Sequence, residues 1–204
     1  MVHRQVLGRG VTDPAVTAAM GSVPRHEFVP PEYIDLAYDD RPLPIGYGQT
    51  ISQPYIVGYM TAALEVGPDD RVLEVGTGSG YQTAVLSEIV RLVFSVEIVP
   101  ELARRAGRTL RELGYRNARV IAGDGHDGWP RAAPFQGIVL TAAPPAIPIA
   151  MFEQLAEGGR LVAPVGQGEE QRIVRWRYAP EGVRYEELIA VRFVPMTGGG
   201  PLER

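Results

Sequence analysis

The sequence predicts a doubly wound α/β fold: a mostly parallel sheet with helices on both faces and a C-terminal antiparallel hairpin at one sheet edge. Three observations carry that expectation. Short apolar runs of buried-strand type alternate with helical stretches between residues 71 and 165, an order that demands parallel strands joined by right-handed crossovers. The first run, Val72, Leu73 and Val75, breaks into Gly76, Gly78 and Gly80 before a helical pattern opens at Tyr81. Beyond the last run, two β-type stretches face each other across Pro180, Glu181 and Gly182.

Taken in order, Thr12-Asp13-Pro14 opens a helix, because Asp13 can cap it and Pro14 suits a first turn that needs no N–H. Val16, Ala19 and Met20 then share one face. Residues 23–33, V-P-R-H-E-F-V-P-P-E-Y, hold too much proline for long regular structure. In residues 39–55, D-D-R-P-L-P-I-G-Y-G-Q-T-I-S-Q-P-Y, prolines and glycines stiffen the path, while Gln49, Thr50, Ser52 and Gln53 supply hydrogen-bonding groups. Such a loop suits a site component and, taken alone, suits an elaborate surface turn equally well. Residues 56–64 read as a helix, and Gly67-Pro68-Asp69-Asp70 turns the chain into the first strand.

The helix after the glycine turn is expected to bury Tyr81, Ala84, Val85 and Ile89. Residues 92–96 make the second strand, with Glu97 at its tip. Pro100 opens a helix with Leu102, Ala106, Leu110 and Leu113 inward and Arg104, Arg105, Arg108 and Arg111 outward. Those arginines read as a solvated face with an Arg105 to Glu101 pair, in preference to a nucleic-acid patch. Residues 118–121 form a third strand ending in Gly123-Asp124-Gly125, and residues 138–140 the core of a fourth ending in Thr141-Ala142-Ala143-Pro144-Pro145. A helix over 149–155 leads through Gly158-Gly159 into a fifth strand, 161–165, and residues 171–178 and 183–194 make the edge hairpin. Open α/β sheets bind ligands outside the carboxyl ends of their strands, so Gly76, Glu97, Asp124 and Thr141 are expected to line one crevice.

Composition narrows the chemistry. At 204 residues the chain suits a single domain, 1–204, in which 1–65 is expected to cover substrate and cofactor. There is no cysteine, which removes disulfides, thiolate catalysis and cysteine zinc sites. The 3 histidines lie far apart, so no metal centre is expected. All 20 basic residues are arginine; without lysine there is no Schiff base, no pyridoxal phosphate chemistry and no P-loop. A net charge of −4 gives no global attraction to nucleic acid or anionic membrane. No apolar run approaches the roughly 18 residues of a membrane span, and residues 1–13 show no signal-peptide core; the cytoplasm is the expected compartment.

The glycine turn is a ligand cradle by its mechanics, since glycines allow tight reversal and close approach of a ligand to bare backbone. A dinucleotide fingerprint would read G-x-G-x-x-G; here the spacing is G-x-G-x-G, preceded by Glu74. That form resembles motif I of the class I S-adenosyl-L-methionine methyltransferases, Rossmann-like proteins whose ligand has no pyrophosphate. A plain βαβ turn is the bland alternative. Against it stands Glu97, 21 residues beyond Gly76, at the position where a carboxylate grips a ribose diol.

With these pieces in hand, the chain resembles the protein-L-isoaspartate O-methyltransferase family along nearly its whole length. The resembling segments are V-P-R-H-E-F-V-P, L-P-I-G-Y-G-Q-T-I-S-Q-P-Y, V-L-E-V-G-T-G-S-G-Y-Q-T-A-V-L, V-E-I-V-P-E-L, G-D-G-H-D-G-W-P, L-T-A-A-P, G-G-R-L-V-A-P-V-G and V-R-F-V-P-M-T. The resemblance implies methyl transfer from S-adenosyl-L-methionine to the free α-carboxylate of isoaspartyl residues in peptides and proteins; a monomer without nucleic acid or membrane partner is the accompanying expectation. It maps the methyl-transfer site to Ser52 and puts Thr50 and Ile51 in the cofactor wall. The motif I residues Glu74, Gly76, Gly78 and Gly80 fall to the cofactor, Glu97 to its ribose, and Asp124 and Gly125 to its adenine. Val194 is implied near substrate and Thr197 near cofactor. Tyr55, where some members have histidine, and Gln136, in place of a frequent aspartate, depart from the family pattern.

The residue inventory agrees with that chemistry. A carboxylate is ionised at neutral pH, so it needs no general base, and Ser52 would orient it without acting as a nucleophile; a serine hydrolase would also need a G-x-S-x-G elbow. The nearest rival is a methyltransferase dedicated to one carboxylate on a specific peptide or protein. A nucleic-acid methyltransferase ranks below it because the fourth strand ends in T-A-A-P-P, and a non-catalytic S-adenosyl-L-methionine sensor would not need the Q-T-I-S loop.

Overall fold

The structure is a computed structural model that describes residues 1–168 and 170–199; Gly200, the last residue of the triple-glycine tail, lies outside that range. In chain order the elements are α1 (Pro14–Ser22), the strands β1 (Leu43–Gly46) and β2 (Gln49–Ile51), α2 (Pro54–Leu64), β3 (Arg71–Val75), α3 (Tyr81–Ser87), β4 (Leu92–Glu97), α4 (Pro100–Glu112), β5 (Ala118–Ala122), β6 (Phe135–Leu140), α5 (Ile149–Glu153), β7 (Leu155–Gln167), β8 (Glu170–Ala179) and β9 (Gly182–Val191). Asp13 caps α1 through its carboxylate, which accepts from the N–H groups of Ala15 and Val16. The proline-rich stretch that follows forms only short 3-10 turns.

One sheet runs β5-β4-β3-β6-β7-β8-β9. The pairs from β5 to β7 are parallel, and β8 and β9 join antiparallel. Residues alternate between its faces, as a strand's period of two requires. Val72, Val139, Val162 and Ile173 pack with residues of α1 to α4 in one core, whereas Leu73, Ile138, Leu140 and Leu161 pack on the other face with Phe135 and Met151. The chain runs outward through β3, β4 and β5, then returns to the far side of β3 as β6. That reversal opens the crevice of a doubly wound sheet between the carboxyl ends of β3 and β6.

Several expectations need correction in detail. The loop 39–55 contains the β1–β2 hairpin, whose tip Gly46-Tyr47-Gly48 has three consecutive positive φ angles of 89°, 55° and 70°. Helix α5 is shorter than expected and β7 far longer. On α4 the expected Arg105 to Glu101 pair is absent: Arg104 takes Glu101 at 3.3 Å, and Arg105 donates to the carbonyl of Ile45 at 2.5 Å, tying β1 to the helix. Among the described residues no helix is long and apolar enough to cross a membrane, and no cluster of potential metal ligands occurs.

Candidate functional site

The crevice is built at the sheet's switch point from six segments. Its floor is the end of β3 and the glycine turn, and Glu97 and Ile98 at the end of β4 form one side. Thr141 and Ala142 beyond β6, the loop 49–52 and the strap 194–197 complete the walls, with Gly125 between. Gly76 donates to the Val96 carbonyl at 2.8 Å, which lays the turn across the ends of two strands. Thr141 locks it from the other side, its hydroxyl donating to the Gly76 carbonyl at 2.5 Å. A Cβ at Gly76 would stand 2.3 Å from that hydroxyl, and φ there is +98°, so only glycine fits.

Glu97 is nearly buried, and both its oxygens are already engaged. Oε2 accepts from the Gly78 N–H at 2.7 Å and Oε1 from the Val99 N–H at 2.9 Å. The carboxylate therefore fixes the glycine turn while each oxygen keeps acceptor capacity for a ligand. Sequence spacing alone pointed to the ligand and missed the turn.

Behind the floor lies a hydroxyl chain. Thr77, which lines the crevice, meets Ser95 at 2.5 Å, and Ser95 donates to Glu74 Oε2 at 2.6 Å; Thr83 donates to the same oxygen. Glu74 is wholly buried. Burial pushes its acid up to about 8 against the opposing bonds from Ser95 and Thr83, and the charge of Glu97 adds to the rise. It does not reach the crevice wall, which corrects the expectation from motif I. Gly80 is also off the wall: with φ +91° it starts α3, and a Cβ there would come 3.2 Å from Ala106 of α4. It serves close helix packing.

Asp124 likewise sits behind Gly125. Its carboxylate accepts from the N–H groups of His126 (2.9 Å) and Gly199 (2.7 Å) and from the His126 ring at 2.9 Å. Burial works against its charge, but these donors hold it below the ordinary carboxylate value. The bond to Gly199 anchors the far end of the strap. Nearer β9, Gln171 brackets Phe193, and Ala143 exchanges backbone bonds with Val194 and Met196 at 2.9 and 2.8 Å. The strap thus lies as one extra rung above β6, bringing Val194 and Thr197 to the crevice.

Thr50, Ile51, Ser52, Gly76, Gly78, Glu97, Gly125, Val194 and Thr197 therefore meet at one cavity, and Glu74, Gly80 and Asp124 support it from behind. Sequence reasoning did not single out Thr77, Ser79, Gln82 and Met196, which also line it. Thr77 and Ser79 occupy the x positions of G-x-G-x-G, where that information was available. Ser52 also borders a second groove that runs past Tyr55, Arg9 and the segment 189–195. Glu97 is the only ionisable carboxylate on the crevice wall, and no arginine, lysine or histidine is present there among the described residues. A pyrophosphate would find no cation. A ligand with a ribose diol and a positive centre fits this donor set.

Comparisons with known proteins point the same way. The family described as Protein-L-isoaspartate(D-aspartate) O-methyltransferase matches residues 1–200. A protein-L-isoaspartate O-methyltransferase of Gloeobacter violaceus is 57% identical over 204 residues, covering 100% of both chains. One from Picosynechococcus is 54% identical over 198 residues, covering 97% of this chain and 89% of that protein. A solved protein-L-isoaspartate O-methyltransferase superposes with a TM-score of 0.88 at 28% identity, covering 97% of this chain and 66% of the other. A Plasmodium falciparum protein solved in complex with S-adenosyl-L-homocysteine gives 0.83 at 22% identity over 96% of each chain, a likeness of fold.

Proposed function

Because this chain belongs to the protein-L-isoaspartate(D-aspartate) O-methyltransferase family, we propose that it methylates the free α-carboxylate of L-isoaspartyl residues in damaged peptides and proteins, with S-adenosyl-L-methionine as methyl donor. The observation that carries the reading is the junction of the Q-T-I-S loop with a crevice whose one wall carboxylate among the described residues is Glu97. Bound there, S-adenosyl-L-methionine supplies an electrophilic methyl group on a sulfonium. Thr50, Ile51 and the bare backbone at Gly76 and Gly78 would hold it, with Glu97 taking the ribose hydroxyls, Gly125 the adenine and Thr197 the open side.

The substrate carboxylate would enter by the groove that reaches Ser52, with Val194 beside it. It arrives ionised, so no residue need remove a proton. The Ser52 hydroxyl would donate a hydrogen bond to one carboxylate oxygen and leave the other free to attack. Loop and strap keep water out, and alignment of this kind is worth roughly 7 to 11 kcal/mol. The methyl ester then closes to a succinimide with loss of methanol, and hydrolysis of the imide returns part of the population to normal aspartate. The reading includes a single domain in which 1–65 covers the site, and a monomer working in the cytoplasm without nucleic acid; the acidic net charge of −4 supports the last point.

Two peptides that differ only in an L-aspartyl or L-isoaspartyl linkage test the proposal through labelled methyl transfer and release of labelled methanol. The isoaspartyl peptide should react and the aspartyl peptide should be largely ignored, because a cleft that grips the backbone places the two carboxylates about one carbon apart, and a misplacement of about 1 Å can reduce rate on the order of 100-fold. Equal reaction, or reaction only with one particular partner protein, would replace repair with a dedicated carboxylate methyltransferase.

A further inference from the structure

Arg25 is 0% exposed and makes no ion pair among the described residues. Burying a cation without a carboxylate is costly, and burial lowers its pKa to about 10, which leaves it charged at neutral pH. Asp40, whose charge reaches it, is committed elsewhere: to Arg9 at 2.7 Å, to the Gln53 amide at 2.7 Å and to the Tyr55 N–H at 3.1 Å. What Arg25 does hold is backbone. Nε donates to the Ala37 carbonyl at 2.7 Å and Nη2 to the Ser52 carbonyl at 2.8 Å. The guanidinium carbon lies 4.7 Å from the ring centre of Tyr81, which is the first residue of α3 and part of the crevice wall.

One planar fork thus fixes the peptide group of Ser52 relative to the helix that follows the glycine turn. The fork geometry matters, because an ammonium gathers its donors on one nitrogen and lacks the rigid, spaced N–H groups with which the guanidinium meets the two carbonyls. We propose that Arg25 is a positioning residue for methyl transfer, holding the Ser52 peptide so that the Ser52 hydroxyl meets the substrate carboxylate at the crevice. The inference rests on the functional reading above and assigns Arg25 no contact with substrate or cofactor.

A double-mutant cycle of Arg25→Lys and Ser52→Ala tests it, with kcat and KM for the isoaspartyl peptide, the Kd of S-adenosyl-L-homocysteine, and Tm measured for each protein. Arg25→Lys should lower kcat by about 10- to 100-fold and leave KM and Kd within about 3-fold. Added to Ser52→Ala, it should cause no further loss, since it acts through that hydroxyl. Additive losses, an unchanged kcat, or a loss confined to Kd and Tm would make Arg25 a fold residue only. Should Arg25→Lys fail to fold, Arg25→Gln takes its place, and failure of both to fold also overturns the proposal. Inactivity of the unmutated protein on the isoaspartyl peptide would sink the functional reading, and this inference with it; an active protein with additive losses sinks the inference alone.

Discussion

Glu97→Ala should weaken ligand binding and loosen the glycine turn together, and the two effects can be separated. The carboxylate accepts from Gly78 N–H at 2.7 Å and Val99 N–H at 2.9 Å, so its removal leaves two donors without their partner at a nearly closed site. Loss of hydrogen bonds to a charged group is worth about 1.5–3 kcal/mol. For a chain of this size each kcal/mol moves Tm by about 2–4 °C, which places the drop at about 3–12 °C. If Glu97 also grips the ribose, affinity for S-adenosyl-L-homocysteine falls by about 10- to 150-fold for one such bond. Calorimetry with S-adenosyl-L-homocysteine and its 2′,3′-dideoxy analogue divides the causes. The unmutated protein should favour the hydroxylated ligand by that factor, and Glu97→Ala should bind the two alike. A folded variant that still discriminates in full would refute the ribose assignment. So would one that loses the same affinity for both ligands, since Glu97 would then act only through the turn.

Ser52→Ala should lower single-turnover methylation while S-adenosyl-L-homocysteine affinity stays close to that of the parent; normal turnover would make the hydroxyl dispensable. The Glu74 acid stays neutral when folded up to about pH 8 but ionises near its ordinary 4.5 when unfolded. Its contribution is therefore full below pH 4.5 and is lost as pH climbs toward 8, on the order of a few kcal/mol at about 1.4 kcal/mol per pH unit. Glu74→Gln should flatten that slope in melts at pH 5 and pH 8, and parallel slopes would show that Glu74 is ionised in the fold. Glu65, in a left-handed conformation with φ 49° at the end of α2, receives Arg160, Arg175 and Arg177 from the C-terminal strands. Glu65→Gly should be more stable than Glu65→Ala by about 1 kcal/mol, because both lose the ion pairs but only alanine keeps the strain; equal urea midpoints would contradict this.

The parallel strands and their order along the chain were legible because each carries a short, mostly apolar stretch set between helical patterns and turns. The short hairpin was not, since alternation over three or four residues is too brief to stand out in a sequence, even though β1 does alternate buried and exposed; its sign was Gly46 and Gly48 flanking Tyr47. Motif I marked the turn at the end of β3 but not which way its residues face. Strand spacing cannot say whether Glu74 points to ligand or to Ser95, and the third glycine of the run turned toward Ala106. Arg25 gave no warning at all, because its partners, the carbonyls of Ala37 and Ser52, lie 12 and 27 residues away and carbonyls leave no trace in a sequence. Arg105 illustrates the same blindness: helix periodicity offered Glu101, and a backbone oxygen 60 residues away took it.

The strap that closes the crevice also dates it. One wall comes from residues 49–52 and the opposite one from 194–197, so the cavity exists only once nearly the whole chain has been made. A polypeptide ending after β7 would already hold the five parallel strands, yet it would lack Ile173 of the first core, the rung on Ala143 and the Gly199 tether to Asp124. The crevice is therefore completed later in the chain than the parallel strands that floor it. A ligand at 100 times its Kd, which stabilises a native protein by about 2.7 kcal/mol, would do so by stitching the two extremities together, and a chain clipped ahead of Val194 would offer it one wall fewer.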